Sequence, residues 1–273
     1  MEITFNHNSL NFSFPGIKLQ DGKPGVLLLL GENETPYPWM PDTPAESWES
    51  LRNTSGGKVK VQHFKWQDEQ GFVLVLNLGI LEDLQGFILS ASFYNGSAKA
   101  VRLKEIILCK TGKAGLVCEG VPEDWYLTMP GFSRRMGNLA ETLPSENQDI
   151  QDMWADYNMP VPYALPEDER HTDGHWRTYT DFITLYAKDG RGMMAGAVGS
   201  PEADVRFDCR VEGDGSMILG ITSEMSGVQV DPGGWRAAQE VLVLSGPYIS
   251  VYERMMRWLA ATHGSRTQRG ARF

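Results

Sequence analysis

The stretch GFILSASFYN, residues 86–95, sets Phe87, Leu89, Ala91 and Phe93 on one face of an extended segment, the period-two pattern of a half-buried strand. VRFDCRV, residues 205–211, repeats the pattern with Val205, Phe207, Cys209 and Val211 opposite Arg206, Asp208 and Arg210. Around these, short segments rich in β-branched, aromatic and aliphatic residues recur between Gly, Pro, Asn and Asp. Such spacing predicts antiparallel sheets rather than alternating strands and helices, so the expected class is all-β, with about a dozen or more strands.

Two runs, GFVLVLNLG (71–79) and EVLVLSG (240–246), are apolar on both faces and suit strands in the middle of packed sheets. DEQG (68–71), KDGRG (188–192) and EGDG (212–215) read as hairpin links in which glycine supplies a positive φ. Two longer segments interrupt the pattern and are expected to be functional loops: residues 31–57, with four prolines and two tryptophans, and residues 144–176.

Hydrophobic residues form 41% of the 273 and charged residues 22%, which describes a folded globular chain. A formal net charge of −10 repels a phosphate backbone, and Arg266, Arg269 and Arg272 are too few and too scattered for a basic footprint, so no nucleic acid is expected. Neither an export signal at the N-terminus nor an apolar run near ~18 residues is visible, which points to a cytoplasmic chain without a membrane partner. Cys109, Cys118 and Cys209 are odd in number, lack metal-ligand spacing and read as buried free thiols.

GPYISVYERMMRWLAATHG, residues 246–264, is the one plainly helical stretch. Ser250 and Glu253 form a capping-box pattern, Gly264 suits a C-cap, and Val251, Met255, Trp258, Leu259 and Thr262 share a stripe. Glu253 and Arg257 pair at i, i+4 on the other side. This helix must lie against an apolar surface.

Candidate chemistry is sparse. Asp149, Asp152 and Asp156 share a face only if their segment is helical, and a solvated acidic loop is the simpler reading. Glu167, His171, Asp173 and His175 are metal-ligand types, but Gly174 argues for a turn and the glutamate directly after the first histidine is missing, so no metal and no other cofactor is expected. His63, His171 or His175 with Glu240 supply the types for proton transfer to a sugar ring. Trp39, Trp48, Trp125, Trp154 and Trp176 offer aromatic faces on which a pyranose can stack.

Four stretches carry a family resemblance: ASFYNGSAKAVRLKEIIL (91–108), TYTDFITLYAKDGRGMMAGAVGS (178–200), VQVDPGGWRAAQEVLVLSGPY (228–248) and SVYERMMRWLAATHGSR (250–266). In order and spacing they resemble the N-terminal domain of melibiase-type α-galactosidases, glycoside hydrolase family 36; Asp181, Gly192, Gly196, Ser200, Pro232, Gly233, Glu240 and Gly246 occupy matching places. The resemblance implies an antiparallel β-supersandwich, galactose-mutarotase-like, over residues 1–249, and a C-terminal helix and connector over 250–273 leading to a (β/α)8 barrel. In that family the barrel supplies the aspartate nucleophile and acid/base, so no catalytic residue is expected in this chain. It further implies α-galactoside-type sugars as ligands, homo-oligomerisation, and loops that border the active site, with Trp39, Trp154 and Asp156 as carbohydrate-binding candidates. A free-standing carbohydrate-binding module and a mutarotase-like isomerase are the alternatives.

Overall fold

A computed structural model describes residues 1–6, 8–54, 57–128, 137–138, 175–178, 182–199, 203–212 and 214–262, with backbone alone at 128, 137–138 and 175–178. These residues form a nine-stranded and a ten-stranded antiparallel sheet and a C-terminal helix. The all-β expectation holds.

The first sheet is organised by two long strands, Ile17–Leu30 and Met217–Val230, with Val101–Lys110 hydrogen-bonded between them. Asp204–Val211 follows on the far side of Met217–Val230. The second sheet begins with a meander of Glu46–Thr54, Gly57–Gln67, Phe72–Leu81 and Gly86–Asn95. It continues through Val241–Pro247, Arg191–Ala197 and Phe182–Ala187, while the short strand Trp235–Ala237 takes the remaining edge of Gly86–Asn95.

Period-two alternation decides what the sheets enclose. Leu19, Leu28, Leu103, Ile106, Phe207 and Leu219 from the first sheet meet Leu74, Leu76, Phe87, Phe93, Leu185 and Val243 from the second, all almost fully buried. The faces assigned to 86–95 and 205–211 from sequence are those found. All three anticipated hairpins form, with Gly71, Gly190 and Gly215 at φ of +89°, +89° and +79°. In the first, the Asp68 carboxylate also accepts the backbone N–H groups of Gln70 and Phe72 at 2.9 and 2.8 Å.

The segment at 31–57 is not a long loop: it contains the strands Thr35–Trp39 and Glu46–Thr54. Pro36 and Pro38 are tolerated because Thr35–Trp39 lies on an edge of the first sheet, where a missing N–H costs no ladder bond. The chain then crosses to the second sheet through Pro41 and Pro44.

The helix spans Tyr248–Thr262, two residues earlier than its capping pattern suggests, because Pro247 ends the preceding strand and the Tyr248 N–H is taken by the Gly190 carbonyl at 2.9 Å. Ser250 therefore sits inside the first turn; Gly264 lies outside the described residues. Val251, Met255 and Trp258 are buried on the outer face of the second sheet against Val59, Val61, Ile88, Met194, Leu242 and Leu244. Burying each such side chain contributes ~1.5–3 kcal/mol relative to solvent exposure. Thr262, at the end of the stripe, is exposed, and the Glu253–Arg257 pair forms at 3.7 Å.

Arg254 locks the helix from its middle by donating to the carbonyls of Ser245 (2.7 Å), Ser250 (3.2 Å) and Leu84. Burial lowers its pKa. Gly246 lies under that guanidinium, directly opposite Gly192, at a φ of +140°, and a Cβ there would sit 2.9 Å from Arg254 Nη2. Gly246→Ala is therefore expected to destabilise the protein by about 1–3 kcal/mol, through backbone strain and displacement of Arg254 together. Urea unfolding checks this, and a midpoint within error of the parent's would contradict it.

Candidate functional site

Among the described residues, the helix and the Val59–Val61 arm cover only part of the second sheet's outer face. The same alternation that buries Leu74, Leu76 and Leu78 turns Val73, Val75 and Asn77 to the opposite side, where they floor an open cleft of about 790 Å³ with Ser92 and Tyr94. This is why residues 71–79 read as apolar on both faces: the outer face is a cleft floor and not a second packed layer.

Both walls are built by one device, a directly opposed aromatic pair across two strands. On one side Trp48 lies opposite His63, the rings stacked at 4.8 Å and 10°. On the other Trp235 lies opposite Tyr94, the rings 4.7 Å apart and tilted by 36°. Each indole is thus backed by a ring on its inner side, yet Trp48 remains 43% and Trp235 52% exposed. Four strand spacings separate them, about 19 Å on a flat sheet.

A row of polar side chains crosses the sheet where the apolar cover ends. Ser50 Oγ meets His63 Nε2 at 2.7 Å, His63 Nδ1 meets Asn77 Oδ1 at 2.7 Å, and Asn77 Nδ2 donates to Ser90 Oγ at 3.1 Å. Since the Asn77 amide nitrogen donates to Ser90, its oxygen accepts from His63. A neutral imidazole therefore carries its proton on Nδ1 and accepts the Ser50 hydroxyl at Nε2. The ring is held as a spacer beneath Trp48.

The charged groups of the cleft are also engaged. Glu46 accepts from Lys65 at 2.9 Å, leaving the lining without net charge from its acid and base. Glu240, matched with His63 in sequence as a source of proton transfer, is held instead in a bidentate pair by Arg52. That pair ties the tip of the Glu46–Gln67 hairpin to the start of Val241–Pro247. The cleft offers aromatic faces and hydrogen-bonding groups, and no unengaged acid–base pair among the described residues.

Of the carbohydrate-binding candidates, Trp39 ends the edge strand Thr35–Trp39, packs half-buried against the main core and does not line the cleft. Trp154 and Asp156 lie outside the described residues, as do Asp149, Asp152, Glu167, His171 and Asp173. His175 falls on a strand of the first sheet opposite Arg210. Trp125 is core, its indole N–H donating to the Glu119 carbonyl at 2.8 Å. Sequence reasoning placed Trp48 in a loop and passed over Trp235; their signal is an aromatic at the strand position opposite another ring, which needs the pairing register to be seen.

Among the described residues no group of three or more His, Cys, Asp and Glu is arranged to hold a metal, and no helix is long and apolar enough to cross a membrane. On the first sheet's outer side Arg206 contacts Glu105 at 3.2 Å, Asp208 at 2.9 Å and also Glu224. Burial opposes its charge, but the three carboxylates outweigh that and raise its pKa. Cys109 and Cys209 are the buried free thiols expected, with pKa values that burial pushes up to about 12; Cys118 is free but only half-buried, and burial and the neighbouring Cys209 raise its pKa as well.

No family model matches the chain, and no curated protein sequence does. In fold it is similar to an α-galactosidase from Lactobacillus brevis, with 11% identity, a TM-score of 0.54, and 96% of this chain against 36% of the enzyme. A GH36 α-galactosidase, AgaA, from Geobacillus stearothermophilus in complex with stachyose gives 14%, 0.53, 98% and 36%. An α-N-acetylgalactosaminidase, NagBb, from Bifidobacterium bifidum gives 12%, 0.55, 96% and 37%. At these identities the likeness is one of fold, and the chain spans little more than a third of each enzyme's length.

The thiol environment has a measurable outcome. At pH 8 a disulfide reagent should leave the native protein unlabelled and label all three cysteines once it is unfolded. Because folding raises these pKa values, the unfolded chain gives up its thiol protons first. Stability is unaffected by them below about pH 8.5 and falls as pH rises towards 12. Rapid labelling of a native thiol at pH 8 would refute the assignment.

Proposed function

We propose that the chain is the non-catalytic β-sandwich domain of an α-galactosidase-like glycoside hydrolase, acting in the cytoplasm beside a (β/α)8 barrel that carries the reacting aspartates. Its roles are to pack on that barrel, shape access of α-galactoside-type sugars such as raffinose, and support homo-oligomerisation. The observation that carries this reading is the extent of the shared fold: nearly all of this chain superposes on about a third of enzymes acting on α-linked galactose-type sugars. Retaining hydrolysis needs two carboxyl groups ~5–5.5 Å apart, one ionised and one protonated. The cleft's Glu46 is paired with Lys65 and does not meet that need.

The helix supports the same reading. Its inner stripe is spent on the second sheet, yet Ile249 and Tyr252 stand 73% and 43% exposed on its outer side, an apolar surface for a neighbouring domain. Trp39, Trp154 and Asp156 remain the residues proposed to border the sugar path in the assembled enzyme. A free-standing carbohydrate-binding module is the second reading, favoured by the cleft's two exposed indoles. A mutarotase-like isomerase draws less support, because His63 and Glu240 are each engaged elsewhere.

The purified chain is expected to release no nitrophenol from 4-nitrophenyl α-galactoside above the buffer rate, and continuation of the coding sequence past Phe273 is expected to show a barrel bearing two catalytic aspartates. Hydrolysis by this chain alone would overturn the proposal. So would acceleration of galactose anomer exchange, measured by polarimetry.

A further inference from the structure

We infer that the cleft between Trp48 and Trp235 is a binding site for a neutral oligosaccharide, held by ring stacking on its two walls and by hydroxyl hydrogen bonds to its floor. The inference rests on the carbohydrate reading above and deepens it by assigning a ligand site to this domain itself, in which Trp48, an aromatic candidate from sequence, is joined by Trp235 and Tyr94, which were not.

Four observations converge on this ligand class. An exposed indole loses apolar contact to water, and here two of them stand on opposite walls of one cavity, each stiffened from behind by Tyr94 or by His63. Such a face complements the C–H side of a pyranose. The His63 ring is fixed at both nitrogens by Ser50 and Asn77, so the Trp48 platform is set before any ligand arrives, which lowers the ordering cost of binding.

The lining mixes apolar Val73 and Val75 with Gln67, Asn77, Ser92 and Tyr94, the combination that binds a molecule with both hydroxyl edges and hydrocarbon faces. Glu46 and Lys65 neutralise one another, so nothing in the lining favours an anionic or a cationic ligand. Finally, the size sets the length. A cleft of about 790 Å³ is far larger than a single pyranose ring fills, which selects a chain of sugars over a monosaccharide.

Titration of the full chain with raffinose and with maltotriose, followed by tryptophan fluorescence and calorimetry, tests the site. Saturable binding of at least one of them is expected, weakened about tenfold by Trp48→Ala and by Trp235→Ala, as removal of one aromatic face implies. Ser92→Phe, which fills the floor and leaves both walls, should abolish it. Melting curves establish that each variant is folded, and Trp235 on its short edge strand gives a variant least coupled to the core.

Trigalacturonate, the charged control, should bind more weakly than the neutral sugars. Absence of saturable binding, binding indifferent to both tryptophan variants, or preference for trigalacturonate would each overturn the inference. Sedimentation adds one more outcome: a concentration-dependent dimer dissociated by Trp48→Ala would mean that the cleft holds a second copy, and the inference would fall. Failure here with no hydrolysis of the nitrophenyl substrate leaves the domain's proposed role standing, while hydrolysis with intact sugar binding sinks that role and spares the site.

Discussion

The second sheet is apolar on both faces, and the rest of the architecture answers that constraint. Its inner face is closed by the first sheet through Leu74, Leu76, Phe87 and Phe93. Among the described residues the outer face has no second sheet to cover it. Val251, Met255 and Trp258 shield one half, aided by the Val59–Val61 arm that the Arg52–Glu240 pair draws across. The remaining half changes character along the row Ser50, His63, Asn77 and Ser90, and becomes the cleft. Helix and cleft are therefore two arrangements on one surface: a protein layer where the pattern is aliphatic, a groove among the described residues where it is mixed.

Local pattern made much of this legible. Alternation at 86–95 and 205–211 gave the faces that meet between the sheets correctly because side chains of one parity share a face, although Ile88 on the opposite face is buried as well, under the helix. Gly71, Gly190 and Gly215 announced their hairpins because only a few residues accept positive φ. The helix was visible through its stripe, though its first residue was not, since Pro247 and the Gly190 carbonyl decide it and neither belongs to the stripe.

What stayed hidden depends on partners distant in sequence. Proline made 31–57 look like a loop, whereas an edge position lets Pro36 and Pro38 sit in a strand without loss. The cleft draws on strands from Glu46 to Ala237, and Trp48 or Trp235 acquires meaning only when pairing sets it against His63 or Tyr94. Trp39, the sequence candidate in the same proline-rich segment, packs half-buried at the core margin, away from the cleft. Histidine shows the same dependence: His63 supplied a type for proton transfer in sequence, and is a brace between two strands.

The pairing order also governs how the chain is born. Val101–Lys110 completes its ladder only with Met217–Val230, roughly a hundred residues later, or about 5–20 s of translation at ~5–20 residues per second. Through that interval a nascent chain displays the unfilled border of a sheet carrying Leu103, Ile106 and Leu108, a template for pairing with other chains. The meander from Glu46 to Asn95 pairs locally and fast, so the emerging polypeptide is a folded hairpin stack beside an unfinished sheet.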